Sequence, residues 1–157
     1  LADHAAVQHL EFAVEARRRE ALAPREAVAE EFRGVQAEVR FLQGDGFRDR
    51  EMYQEAMNAY LLPTKYRNLD GPWTVEAVDR ITALLNATGK MQHLPDLLAD
   101  IFRRVPRPST EGSFAQRRGS VWAQVGERYH RSLVLNGRTN EAQNVRRQLD
   151  TIVRVVP

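Results

Sequence analysis

Leu133-Val134-Leu135-Asn136-Gly137-Arg138-Thr139-Asn140-Glu141-Ala142-Gln143-Asn144-Val145 is the stretch on which the reading of the fold turns. Apolar residues at the required helical spacing run up to it: Trp122, Val125, Tyr129 and Leu133 recur at steps of three and four. Asn136-Gly137 then has the chemistry of a helix C-terminus, because glycine adopts the left-handed backbone that ends a helix without steric penalty. Thr139 or Asn140 supplies a polar N-cap two or three residues later. Ala142, Val145, Leu149 and Ile152 resume the period, with small Ala142 letting the two helices approach. A connection this short makes neighbouring helices antiparallel.

The same logic extends toward the N-terminus. Leu94, Leu97 or Leu98, and Ile101 predict a helix between Lys90 and Val105, and Val75, Val78, Ile81 and Leu85 predict one that ends at Gly89. A shorter helix is expected near Asp49–Leu61. Val28, Phe32, Val35, Val39 and Leu42 share one face of a helix opened by Pro24, and Gln43-Gly44-Asp45-Gly46 reads as the turn that follows. Val7, Leu10 and Val14, with Arg17–Arg19 beyond, predict a leading helix over 1–22. Asp70-Gly71-Pro72 is a further turn, and Pro106–Gly112 is the one clear loop. No useful stretch alternates at period two, so no strand is expected. The expected fold is all-α: one domain over 1–157, a leading helix over 1–22, and three irregular antiparallel hairpins over 24–157. A closed bundle and a short solenoid of hairpins both satisfy the helix count; the last fifty residues favour the solenoid.

Composition limits the function classes. The chain has 157 residues, 43% of them apolar, enough for a continuous core. Nothing approaches the roughly 18 consecutive apolar residues of a membrane span. With no cysteine, disulfides, thiolate catalysis and zinc ribbons are excluded, which leans toward an intracellular setting. The start, Leu1-Ala-Asp-His, has neither the basic region nor the apolar core of a secretory signal. Of the 23 basic residues, only Lys65 and Lys90 are lysines. Residues 101–157 carry 11 arginines against four acids, whereas residues 1–100 carry 12 basic and 17 acidic groups. Such an asymmetry fits either an anionic partner for the C-terminal third or a solvated arginine-rich face.

Chemistry has little to stand on. His4, His9, His93 and His130 form no pair four residues apart for a metal. Asp96 and Asp100 share a helix face but have no third ligand nearby, and Glu30-Glu31 is a common solvated pair. There is no phosphate-binding loop and no nucleophile elbow; Gly89-Lys90-Met91 lacks the preceding glycines and the Ser/Thr. No cofactor, metal, small-molecule substrate or catalytic residue is expected, and no enzymatic turnover.

Gly137, Arg138, Glu141, Ala142, Val145, Leu149 and Pro157 fall at the offsets of the second helix of a pentatricopeptide repeat. The chain resembles that family, with the tetratricopeptide repeat close behind. A weaker echo starts at Gly89-Lys90-Met91, with Leu94, Leu97 and Ile101, and a weaker one still near Gly44 or Gly46. The 48 residues between Gly89 and Gly137 exceed the family's period, so the repeats are irregular. The resemblance implies single-stranded RNA as one class of ligand. Its base-reading position falls on Glu127, a carboxylate that disfavours phosphate. Arg103, Arg104, Arg107, Arg117, Arg118, Arg146 and Arg147 could instead meet phosphates. Trp122 and Tyr129 fit core packing better than base stacking. The helix count, size and degenerate repeats are also similar to the small pentatricopeptide-like accessory subunits on the catalytic head of the euglenozoan mitochondrial ATP synthase. That similarity implies a non-catalytic subunit in the mitochondrial matrix, its transit peptide removed, docked on the ATP synthase α subunit. The residues expected to bind the partner are Arg103, Arg104, Arg107, Arg117 and Arg118, which flank the loop and suit acidic protein surfaces.

Overall fold

In the computed structural model, residues 24–153 are described; the expected leading helix over 1–22 lies outside them. Among the described residues there are seven α-helices and no strand, so the fold is all-α. They are α1 (Pro24–Asp49), α2 (Tyr53–Leu61), α3 (Pro72–Ala87), α4 (Leu94–Arg104), α5 (Phe114–Arg118), α6 (Val121–Leu135) and α7 (Thr139–Val153). Short 3-10 turns, Leu62–Lys65 and Met91–His93, follow α2 and precede α4. None of the described helices is long and apolar enough to cross a membrane.

Two compact units divide at Gln36/Ala37, inside α1. The described part of the first is the opening of α1, where Val28, Phe32 and Val35 are exposed. The second unit holds the apolar core. Its centre is α6, which packs on α3, α4 and α7. Phe102 of α4 stacks on Trp122 at 5.0 Å between ring centroids, and Tyr129 tilts against the Phe102 ring at 5.7 Å. Gly126 makes this convergence possible, because a Cβ there would lie 2.6 Å from Leu149 Cδ2 and 2.9 Å from Phe102 Cε1. Val78, Ile81, Leu98, Ile101, Leu133, Val145 and Leu149 complete the interior. Each such side chain contributes roughly 1.5–3 kcal/mol by leaving water.

Local chemistry sets the boundaries. Gly137, at φ +70°, ends α6: Arg138 N–H donates to Leu133 O at 2.9 Å and Gly137 N–H to Val134 O at 3.1 Å, closing the last turn. Gly89, at φ +68°, ends α3 in the same way, with Lys90 N–H on Leu85 O. The loop expected over 106–112 is present, but a short helix follows it that periodicity did not reveal. Ser113 caps α5 by accepting from Gln116 N–H, while the Gln116 side chain accepts from Ser113 N–H.

The expected turn at Gln43-Gly44-Asp45-Gly46 is helical instead, and α1 runs through it to Asp49. Gly44 is there for close approach: a Cβ would sit 2.4 Å from the Tyr60 ring. The chain reverses later, at Glu51, whose φ is +59°. Asp45 accepts from Tyr60 Oη at 2.5 Å and from Arg80 at 3.2 and 3.1 Å, tying α1, α2 and α3 together at this point. The Arg80 guanidinium also lies over the buried Phe41 ring, 4.8 Å from its centroid. Burial alone would raise the Asp45 carboxyl, but the hydrogen bonds from Arg80 and Tyr60 hold it below its ordinary value. Burial, and then the bond to Asp45, push the Tyr60 phenol up to about 12.

Candidate partner-binding surfaces

The five arginines expected at the interface occupy different environments. Arg117 is buried and donates to Thr110 O at 3.3 Å and to Gly112 O, so its guanidinium holds the loop that precedes α5. Arg104 is half-buried; it pairs with Asp100 at 3.0 Å and donates to Thr64 O at 2.6 Å, fastening α4 to the turn after α2. Arg103, Arg107 and Arg118 are exposed. Arg103 reaches Asp100 at 2.7 Å, and Arg107 lies over Trp122, 5.7 Å from the ring centroid. The hydrogen bond from Arg103 leads the effects that hold the Asp100 carboxyl below its ordinary value. Three of the five guanidinium groups therefore face solvent near the loop, and two serve the fold.

The charge division along the sequence is partly cancelled in space. Arg128 pairs with Asp79 at 2.6 Å, and Arg138 with Asp96 at 2.9 Å and Glu141 at 2.7 Å. Asp79, Asp96 and Asp100 belong to the acidic first hundred residues, yet each lies beside arginines of the basic remainder. Arg138 of the Gly-Arg-x-x-Glu-Ala motif thus ties the start of α7 to α4. Charge-assisted, forked pairing of this kind is what arginine does better than lysine.

Glu127, at the expected base-reading position, is exposed and held by Arg146 through two hydrogen bonds, at 2.9 and 2.7 Å. Those bonds draw the carboxyl below its ordinary value, while burial works in the opposite sense. Trp122, Val125, Val145 and Leu149 are buried, and Tyr129 is half-buried against them, so these side chains are core. Beside them, α6 and α7 enclose a cleft of about 470 Å³ with His130, Val134, Ala142, Arg146 and Arg147 along it. Arg147 donates to Asn144 within α7. Among the described residues, no three His, Asp or Glu side chains gather as metal ligands.

A larger feature is the apolar face of α1 that its periodicity marks. Val28, Phe32, Val35, Val39 and Leu42 are between 47% and 67% exposed. The buried residues of α1 lie on its other side: Ala37, Phe41 and Gly44. They share the heptad spacing, but two of the three are small, and apolar periodicity favours the face with the larger side chains. The clue was the small-residue row, which permits the closest approach of a neighbouring helix, as Gly44 does for Tyr60.

No family model, curated protein or solved structure matches this chain.

Proposed function

We propose that this chain is a non-catalytic accessory subunit that docks on a larger protein assembly. The observation that carries the reading is the row of large apolar side chains left in water along α1. Scattered single apolar residues on a surface need no explanation, but a contiguous row of five marks an interaction surface. Arg103, Arg107 and Arg118 add exposed guanidinium groups of the kind that anchor protein interfaces. The assembly suggested by the resemblance is the catalytic head of a mitochondrial ATP synthase, with its α subunit as the docking partner and the matrix as the compartment. RNA binding is the rival, and the Arg146–Glu127 pairing speaks against it: an arginine beside the reading position is already matched to a carboxylate.

Affinity purification of the tagged chain from its native source, with and without nuclease, tests the reading. Stoichiometric head subunits that survive nuclease are the expected result. A nuclease-sensitive set of RNA-processing proteins would overturn it.

A further inference from the structure

The cleft of about 470 Å³ between α6 and α7 lies wholly within the second unit, and none of Arg103, Arg107 and Arg118 lines it. Its polar end is formed where Arg146 Nη2 meets His130 Nδ1 at 3.4 Å, with Arg147 beside them. Val134 lies four residues after His130, and Ala142 four residues before Arg146. Because α6 and α7 run in opposite directions, these two form an apolar stretch one helical turn, about 6 Å, along the cleft.

The charges at the polar end do not cancel. Arg146 is matched by Glu127 at 2.7 Å and by Asp150 at 3.8 Å. Arg147 is exposed and donates to the neutral amide of Asn144; among the described residues, no carboxylate pairs with it. A guanidinium cannot accept, so His130 Nδ1 is the acceptor from Arg146, and the ring proton stands on Nε2 as a donor. No acid lines the cleft among the described residues. Donors and an unmatched positive charge call for a carboxylate.

Exposure decides what carries that carboxylate. A small-molecule pocket hides most of its ligand's surface. Here Val134 is 56% exposed, so the cleft is open along one side. An occupant covered on one face only belongs to a larger surface. Among the described residues no aromatic side chain lines the cleft, so it lacks the stacking platform that single-stranded nucleic acid uses. In an extended chain, side chains two residues apart share a face and lie about 6.5–7 Å apart, close to the separation of the two ends. We propose that this cleft receives an extended segment of the partner protein in which an acidic and an aliphatic residue flank a single residue. The carboxylate meets Arg147 and His130 Nε2–H, and the aliphatic side chain covers Val134 and Ala142. The proposal rests on the docking function above and names what the partner brings to this face.

The test uses the full chain and two synthetic peptides of glycine and serine around a glutamate and a leucine two positions apart; in the second, glutamine replaces the glutamate. Binding is followed by nuclear magnetic resonance, as shifts of the α6 and α7 amides up to millimolar peptide. The glutamate peptide is expected to bind about tenfold more tightly than the glutamine one, with the difference shrinking as salt rises. Arg147→Glu should remove that preference, and Val134→Asp should weaken both peptides. Both side chains are exposed, so helical circular dichroism and thermal melting should be unchanged. Arg131→Glu, an exposed neighbour outside the cleft, should change the preference less than about twofold. Equal affinity for the two peptides, absence of shifts, or an effect of Arg131→Glu as large as that of Arg147→Glu overturns the proposal. So does hexanoate that binds as tightly as the peptide, or oligouridylate that displaces it, because the occupant would then be a small molecule or a nucleic acid. Failure of the docking reading looks different: the unaltered chain would be recovered from its native source with a nuclease-sensitive set of RNA-processing proteins. Full recovery of a protein assembly by the chain carrying both Arg147→Glu and Val134→Asp would sink the cleft alone.

Discussion

Replacing Gly126 with alanine sets two effects of similar size against each other, and the structure decides between them. In a helix interior, alanine is favoured over glycine by about 1 kcal/mol. At this position, however, the added methyl would fall 2.6 Å from Leu149 Cδ2 and 2.9 Å from Phe102 Cε1. Those atoms end flexible side chains, but Leu149 is 1% and Phe102 7% exposed, so neither has room to retreat. Overpacking of this kind costs about 1–3 kcal/mol. Gly126→Ala is therefore expected to destabilise by about 1 kcal/mol, the overpacking outweighing the propensity gain. Leu149→Ala alone should cost roughly 2–5 kcal/mol by opening a cavity at the same place. In the double variant the methyl occupies the space that leucine vacated. The combined loss should fall short of the sum by about 1–2 kcal/mol. Urea denaturation followed by circular dichroism measures all four corners of the cycle. A stabilised Gly126→Ala chain, or strict additivity, would refute the claim that α4, α6 and α7 meet at this glycine.

Two further outcomes are expected. Because the folded state raises the Tyr60 phenol to about 12 from its ordinary value of 10.0, this group's contribution to stability is complete below pH 10 and is lost as pH rises toward 12; Tyr60→Phe should flatten the fall in denaturation midpoint over that window, and an unchanged slope would count against the Asp45–Tyr60 contact. Arg117→Ala should cost about 1–3 kcal/mol by removing a buried guanidinium that donates to two loop carbonyls, whereas Arg118→Ala, at an exposed side chain, should stay within about 0.5 kcal/mol; equal thermal melting of the two variants would contradict the structural role of Arg117.

The fold class was legible because most of the helices bury the faces their periodicity marks. The stripes ending in Leu85, Ile101, Leu133 and Ile152 face the core, with Val75, Leu97, Tyr129 and Ile152 partly buried against it. Gly89 and Gly137 end helices, as their chemistry requires. Gly44 was misread because glycine has two uses, positive φ and close approach, and sequence alone does not tell them apart. The short α5 was invisible because five residues with one capping box present no period. The stripe on α1 shares one face as its spacing requires, but periodicity reports that a face is apolar and says nothing about what covers it. Of the partner residues, Arg103, Arg107 and Arg118 remain surface cations, and the fold employs Arg104 and Arg117. That difference depends on acids and carbonyls distant in sequence, such as Thr64 O, 40 residues from Arg104.

The pairing of Arg128 with Asp79 and of Arg138 with Asp96 also bears on how a partner is first met. A block of unpaired positive charge acts at long range as a monopole and accelerates the approach of anything anionic. A cation matched within about 4 Å acts as a dipole, whose potential falls more steeply with distance and is screened beyond a Debye length of about 8 Å at physiological salt. The basic end of this chain is therefore electrostatically quieter from afar than its eleven arginines imply, although Arg103, Arg107 and Arg118 stay exposed. Polyanions gain less steering toward it than that count implies, and the short-range fit of apolar surface carries more of the selectivity.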